Sequence, residues 1–542
     1  MMGNALAKPS VQQIRWLENE RAMFVHLDPS TWTGKEIDDH TANLSDIKLE
    51  KLNTDQWCEA ALAWGAGAII FVAKHVGGFC WWQTETSPYG IKETPYKDGK
   101  GDLLEEIVCS CRKYGLKLGV YVSPSDGVWG AYLGGGGKTA DPAKQEAYNQ
   151  IYRQQLTEVL SRCGDIYEVW FDGSTVIDVA DILQTYAKDA MILQSRHATI
   201  RWTGSEDGKI PYPLSSCIRR DILKTGISTG RNSDVNGDVW APLEVDTPLY
   251  KHYWFWGEHK EKHRKSLEEL MDCYYMSVGR GGAFLLNASP NVDGLISDGD
   301  MALYKAFGDE IERRFSVPAG AGRGRGAVTE IALGSVTEIN HVILDEAFSE
   351  GERIRGFRIE AYTGSGWQTV YEGSLVGRRH IAVFSTVIAS RVRVTITEHA
   401  EGLLPLLKWV AVYNVTGVDI PALLGRLREE VDLYDTFRKD LGEWAAEAGQ
   451  DECLDLDLTP CIPMAGKFAV DLHPDAPVAI EAALWLVGFP SSEWLELDKA
   501  AQGIVVFTRS AVVTPESTVR LQIHVRADKA AKGNISCSFA KA

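Results

Sequence analysis

The chain is short of basic residues, of long apolar runs and of cysteines at any useful spacing, and each shortage excludes something. Lys and Arg number 56 against 74 Asp and Glu, a formal net charge of -18. Such a field repels phosphate backbones and anionic bilayers, so no nucleic-acid partner is expected, while a neutral substrate meets no penalty. No apolar stretch approaches the roughly 20 residues of a membrane span, so no membrane partner is expected. The opening residues, MMGNALAKPSVQQIRWLENE, lack an apolar h-region, and no signal peptide is visible. The ten Cys are scattered from Cys58 to Cys537, and the one close pair, Cys109 and Cys111, has neither zinc-ligand nor redox spacing. Most of the others fall in apolar or helical contexts, as buried thiols do. Together these features favour a reducing, cytoplasmic setting. The Asn-x-Ser/Thr sequons at Asn43, Asn287, Asn414 and Asn534 are then chance matches.

What is present is a globular composition, 45% hydrophobic and 24% charged. A chain of 542 residues exceeds one hydrophobic core, so two to four domains are expected. The 17 Trp suit cores, but they also suit sugar sites, where a flat ring packs on the apolar face of a pyranose.

Between about residues 15 and 315, short apolar runs alternate with amphipathic ones, as in βαβ units. Strand candidates are MFVHL to His26, GAIIFVAK before His75, LKLGVYV near Ser123, YEVWF before Asp172, AMILQ before Ser195 and AFLLN around Asn287. TDQWCEAALAWG and GDLLEEIVCSCRKYG carry helical periodicity, the second starting near Asp102 and stopped by Gly115. Strand after strand ends in a polar or titratable residue, notably His26, His75 and Asp172. In a parallel barrel the strand C-termini share one face, and that face carries the active site. No Gly-rich phosphate fingerprint follows the first strand, so a (β/α)8-like TIM barrel fits better than a doubly wound open sheet. After about residue 320 the period becomes short and alternating, in INHVILDEAF, IRGFRIEAYTG, WQTVYEG, RRHIAVFS and SRVRVTITE, which predicts an antiparallel β-sandwich. The expected division is a barrel over 1–318, a sandwich over 319–418, a helical linker over 419–450 and a C-terminal β-rich accessory domain over 451–542.

Glycosidic bond cleavage usually employs two carboxyl groups, one attacking the anomeric carbon or activating water, the other protonating the leaving oxygen. Asp172, at a probable strand end, is as consistent with a helix cap as with a reagent. Glu206, in the loop RWTGSEDG, would by itself be a solvated surface group more often than not. His26 and His75 at two strand ends of one barrel face point to ligand binding, although a lone His there is more often structural. No HxH or HExxH pattern adds a third ligand, so neither metal nor organic cofactor is expected. Trp81, Trp82, Trp254 and Trp256 are paired aromatics in loops, for which core packing is the ordinary role.

These segments resemble the α-L-fucosidases of glycoside hydrolase family 29 through nearly all of the first 315 residues. RAMFVHLDPSTWTGKE resembles the family's first strand and loop, which implies sugar-binding roles for His26 and Glu36. AKHVGGFCWW resembles the Lys-His-His-Asp-Gly-Phe signature and implies His75, with Trp82 nearby. LKLGVYVSPSD places Tyr121 at a pocket tyrosine, and EVWFDGS is similar to the nucleophile motif, implying Asp172. RWTGSEDG resembles the acid/base loop of the subfamily active on 1,3- and 1,4-linked fucose, implying Glu206. WAPLEVDTP and YWFW are similar to later site segments and imply Glu244 and Trp254 or Trp256. The residues after 320 resemble a galactose-binding-like module.

The resemblance implies an exo-acting retaining α-L-fucosidase with a fucosylated oligosaccharide or glycoconjugate as its partner. Retention requires carboxyls about 5–5.5 Å apart. The chain departs from the family pattern at Val76 and Gly77, where the signature has His and Asp, at Ile37 for a Trp and at Ser125 for a Trp. Loss of one hydrogen bond to substrate costs roughly 0.5–1.5 kcal/mol. The alternatives are a carbohydrate-binding protein without catalysis, or a retaining hydrolase of another sugar such as a β-galactoside.

Overall fold

The structure, a computed structural model, describes residues 6–223, 233–458, 466–487, 493–495, 497, 499–509 and 518–540. Residues 1–5, the start of the stretch without an apolar leader, lie outside it, as do parts of the C-terminal domain expected over 451–542. The chain forms two compact units, Met1–Gly425 and Arg426–Ala542.

The first unit opens with a barrel. Its strands are β1 (Arg21–Val25), β2 (Ala68–Lys74), β3 (Lys117–Val122), β4 (Ile166–Trp170), β5 (Met191–Leu193), β6 (Arg201–Trp202), β7 (Leu243–Thr247) and β8 (Ala283–Ala288). They lie in the order β5-β4-β3-β2-β1-β8-β7-β6, and every pairing is parallel. β8 therefore returns to β1, with Val25 beside Ala288, and the barrel closes except between β5 and β6. All seven residues of β2 are buried, as expected for a strand walled by helices on one side and barrel interior on the other.

Local chemistry sets the helices. Thr54–Ala63 begins where the Asn53 side chain accepts from the Asp55 backbone N–H. Leu103–Tyr114 begins at Asp102, whose carboxylate accepts from Glu105 N–H, and ends at Gly115. Gly115 takes a φ of 70°, a left-handed turn that costs a glycine nothing.

Behind the barrel, six antiparallel strands follow: β9 (Gly320–Arg325), β10 (Val328–Glu346), β11 (Ile354–Tyr362), β12 (Trp367–Gly373), β13 (His380–His399) and β14 (Leu406–Tyr413). The two long strands, β10 and β13, break register between Ala332 and Thr337 and again between Ile339 and His341. Such breaks let one strand bend to serve both layers of a sandwich. Ile331 and Leu333 from before the breaks share a core with Val342 and Leu344 from after them.

The expected helix over 419–450 is corrected by the structure. A helix spans Ile420–Asp435, but Thr436–Ala446 is a strand paired antiparallel with Ala531–Ala540. The reason is visible at its end, where buried Trp444 and Ala446 alternate with exposed Glu443 and Ala445, a period of two. In the second unit this strand belongs to a five-stranded sheet, accompanied by a four-stranded one. Trp444, Phe468, Phe507, Leu521 and Ile523 share its core, with the two Phe rings stacked at 5.3 Å.

Candidate active site

The mouth of the barrel gathers residues from the ends of β1, β2, β3, β4, β6 and β8. His26 follows β1, and Asn287 lies in β8. His26 Nδ1 and Asn287 Oδ1 are 2.7 Å apart, while Asn287 Nδ2 donates to the Trp254 carbonyl at 2.8 Å and to Ser289 Oγ at 3.0 Å. With its amide N–H groups so engaged, Asn287 presents oxygen to His26. The network thus assigns the imidazole proton to Nδ1 and leaves Nε2 as an acceptor for a ligand hydroxyl. Burial and the neighbouring His75 hold His26 well below the usual histidine range, and burial pushes His75 down to about 3. Both rings are neutral hydrogen-bonding groups at physiological pH.

Around them the aromatics close in. His26 lies 4.9 Å from Trp254, 6.0 Å from His75 and 5.5 Å from Phe255 between ring centroids. His75 stacks on Tyr121 at 5.8 Å, and Tyr121 in turn stacks on Trp170 at the same distance. Glu36 accepts the Trp254 backbone N–H at 2.7 Å and pairs with the buried Lys260 ammonium. Burial raises the Glu36 carboxyl, with Lys260 pulling it back.

The two proposed reagents meet this ring from the ends of β4 and β6, the strands on either side of β5. The Tyr121 hydroxyl donates to Asp172 Oδ2 at 3.0 Å, and the next amide, Gly173 N–H, donates to the Gln194 side chain at 2.7 Å. Burial raises Asp172, while the tyrosine hydrogen bond favours its ionised form. Glu206, beyond β6, accepts the Trp254 indole N–H at 3.1 Å. Asp172, Tyr121, His26, Trp254 and Glu206 are thus joined by successive contacts.

Three expected site residues fall elsewhere. Trp82 is fully buried and donates to Glu158 Oε2 at 2.9 Å, on the helix Gln145–Cys163 outside the barrel, so it lines no pocket. Trp256 donates to Glu261 at 3.0 Å and makes no ring contact with the cluster. Glu244 is buried at depth in the barrel, where it accepts the Trp170 indole N–H at 2.8 Å. There it faces Glu168, which accepts from Trp16 at 2.8 Å. Burial raises both carboxyls, and each senses the other.

Sequence reasoning missed Asn287, Phe255 and Lys260. The sequon at Asn287 points to a buried strand residue, and its sole useful signal was the polar residue ending an apolar run. Lys260 sat unnoticed in the charged run EHKEKH. The departures also have a structural setting. A Cβ on Gly77 would stand 2.6 Å from Asp38 Oδ2, so the space a side chain would need at 77 is taken by a carboxyl from another loop. That carboxyl accepts the Tyr89 hydroxyl at 2.8 Å, and His40 bonds the Gly77 carbonyl at 2.7 Å. Ser125 is buried and donates to the Tyr132 carbonyl at 3.1 Å. Among the described residues no three His, Cys, Asp or Glu side chains converge as a metal-ligand group, and no helix is long and apolar enough to cross a membrane.

Comparison with known proteins agrees with this geometry. Residues 28–313 match the alpha-L-fucosidase family. Alpha-L-fucosidase 1 of Arabidopsis thaliana is 30% identical over 488 residues, covering 79% of this chain and 93% of the plant protein. A Bacteroides thetaiotaomicron protein described as an alpha-L-fucosidase superposes with a TM-score of 0.70 at 33% identity, covering 76% of this chain and all of that one. A Ruminococcus gnavus fucosidase of glycoside hydrolase family 29, solved in complex with fucose, gives 0.67 at 26% identity, covering 77% and 98%. Matched to the family over residues 28–313, 30% identical to the plant protein and built on a parallel barrel with sandwich layers, the chain belongs to the alpha-L-fucosidase family of glycoside hydrolases.

Proposed function

We propose that this protein is an exo-acting retaining α-L-fucosidase that releases terminal α-1,3/1,4-linked L-fucose from oligosaccharides or glycoconjugates. Asp172 attacks the anomeric carbon, the bond to the leaving oxygen breaks, and Glu206 delivers its proton to that oxygen. Glu206 then takes a proton from water, the hydroxide attacks the same carbon, and the Asp172 ester bond breaks to release fucose. The observation that carries this reading is the Tyr121 hydroxyl on Asp172 beside two neutral histidines. A carboxylate held by one donor, facing groups that bind hydroxyls, has the chemistry of a glycosidic nucleophile. The fucose complex of the Ruminococcus gnavus relative supports a fucosyl ligand. Trp254, whose indole touches Glu206, packs on the His26 side and covers an apolar face of the sugar. Glu36 and His75 hold hydroxyls. The sandwich over 319–418 acts as a galactose-binding-like module, and the β-rich second unit, Arg426–Ala542, acts as structural support.

The deciding experiment measures fucose release from Lewis-type and 2'-fucosyl oligosaccharides by wild type, Asp172→Ala and Glu206→Ala. Release from Lewis-type glycans is expected, abolished by Asp172→Ala and reduced about 10²–10⁴-fold by Glu206→Ala. The first product should carry the α configuration. Release from 2'-fucosyl substrates alone would overturn the linkage, and a β product would overturn retention. An inert wild type would favour another sugar or a binding role, with Val76 and Gly77 as the cause.

A further inference from the structure

We propose that Asp246 is a positioning residue that ties the Glu206 loop to the barrel and so sets the place from which the acid/base delivers its proton. This rests on the assignment of Glu206 made above. β6 is the least supported strand of the barrel: it has two residues, pairs with β7 alone through Arg201–Leu243 and Trp202–Glu244, and borders the gap beside β5. A loop launched from so short a ladder has little backbone pairing to fix its exit direction.

Asp246, the penultimate residue of β7, supplies what the ladder lacks, and it does so on both sides of Glu206. Its Oδ1 accepts the Trp202 indole N–H at 2.7 Å, just before the loop, and its backbone carbonyl accepts Gly208 N–H at 3.1 Å, just after it. Gly208 has a φ of 78°, and a Cβ there would lie 2.9 Å from Cys273 Sγ and 3.1 Å from a Thr247 carbon, so the far end of the loop is seated tightly. Asp246 itself is buried, and desolvation together with the nearby Glu244 and Asp172 raises its carboxyl. A neutral carboxyl here still offers Oδ1 to the indole, and it adds no negative charge beside the nucleophile. An amide is its near-isostere in both respects.

The test compares Asp246→Ala, Asp246→Asn and Trp202→Phe with wild type and Glu206→Ala. Each is assayed on an aryl fucoside with a highly acidic leaving group and on an unactivated fucosyl disaccharide. An acid displaced by about 1 Å costs on the order of 10²-fold where protonation of the leaving group matters, and little where it does not. Asp246→Ala is therefore expected to lose about 10²-fold in kcat/KM on the disaccharide and only a few-fold on the activated aryl fucoside. Asp246→Asn should stay near wild type on both. Trp202→Phe, which keeps a ring but removes the N–H donor, should show the same bias more weakly, and it serves as the readout if Asp246→Ala does not fold. A merely structural role would lower the melting temperature and reduce both activities equally, and that result overturns the tie while the Glu206 assignment stands. If Glu206→Ala itself shows no leaving-group bias, the acid/base assignment falls and takes the tie with it.

Discussion

Carboxyl groups hang at two depths in this barrel, and aromatic donors hold them at both. At the mouth, half-buried Asp172 meets the Tyr121 phenol and Glu206 meets the Trp254 indole. At depth, Glu168 and Glu244 meet the Trp16 and Trp170 indoles. The partners are alike, yet the chemistry diverges, because water reaches the mouth and each deep carboxyl has another carboxyl as its neighbour. Buried and set beside each other, the deep acids are pushed toward their protonated forms and act as hydrogen-bonded struts. The mouth acids stay available for reaction. Lys74 shows the third possibility: it is fully buried but paired with Asp126 at 2.8 Å, and it also donates to Gln155 at 2.9 Å.

The comparison can be broken most forcefully at Lys74. Lys74→Ala leaves Asp126 buried without its partner, which should cost roughly 3–5 kcal/mol of stability in chemical denaturation. A loss under about 1 kcal/mol would mean that Asp126 simply takes up a proton as the deep glutamates do. Next is Tyr121→Phe, which removes the donor to Asp172 and should cost about 1.5–3 kcal/mol in kcat/KM. That hydrogen bond lowers the Asp172 pKa. The acidic limb of the pH profile should therefore move to higher pH in the variant, and an unmoved limb would mean that the Tyr121 hydroxyl does not tune Asp172.

Gly77→Asp restores the family's residue type at a place where Asp38 already stands. It should cost roughly 1–3 kcal/mol of stability through overpacking and like charge. Asp38→Gly in that background should recover part of it; no recovery would show that the two carboxyls do not compete for one space. The smallest effect is expected from Glu244→Gln. The folded pKa of Glu244 lies above its unfolded value, so its contribution to stability is full below about pH 4.3 and fades as pH rises through the folded pKa. The amide cannot ionise, so the variant should match wild type near pH 4 and gain on it at pH 8. The scale is about 1.4 kcal/mol per pKa unit. A constant difference across that range would mean that burial does not raise the Glu244 carboxyl.

Much of the barrel was legible because most of its strands are short apolar runs punctuated by polar ends, a pattern that burial from both sides imposes, whereas β6 (RW) and β7 (LEVDT) carry charged residues within the strand and gave no such run. Asp102 and Gly115 bounded their helix as capping chemistry requires. Legibility failed where two periods overlap. Around Glu443–Ala446, apolar spacing satisfied a helix as well as a strand, and pairing with a distant segment decided it. The site residues divide the same way. His26, His75, Tyr121 and Asp172 end or follow apolar runs, Glu36, Glu206 and Trp254 lie in loops that only the family resemblance singled out, and the fold brings them together. Trp82 follows a run too, but its strand exit turns it toward Glu158 on an outer helix. Nothing in its spacing distinguishes that outcome from facing the sugar.

By itself the sequence determined the alternation of strand and helix, the polar strand ends, and the acidic character of the chain, because these depend on local periodicity and composition. Only the tertiary structure decided which acids reach water and which keep protons, since that depends on depth in the barrel and on neighbours distant in sequence. The same holds for Asn287 fixing the His26 tautomer and for Asp38 filling the room beside Gly77. It holds equally for Asp246 gripping both sides of the Glu206 loop. Each is a contact between segments far apart along the chain, whose formation is settled by packing.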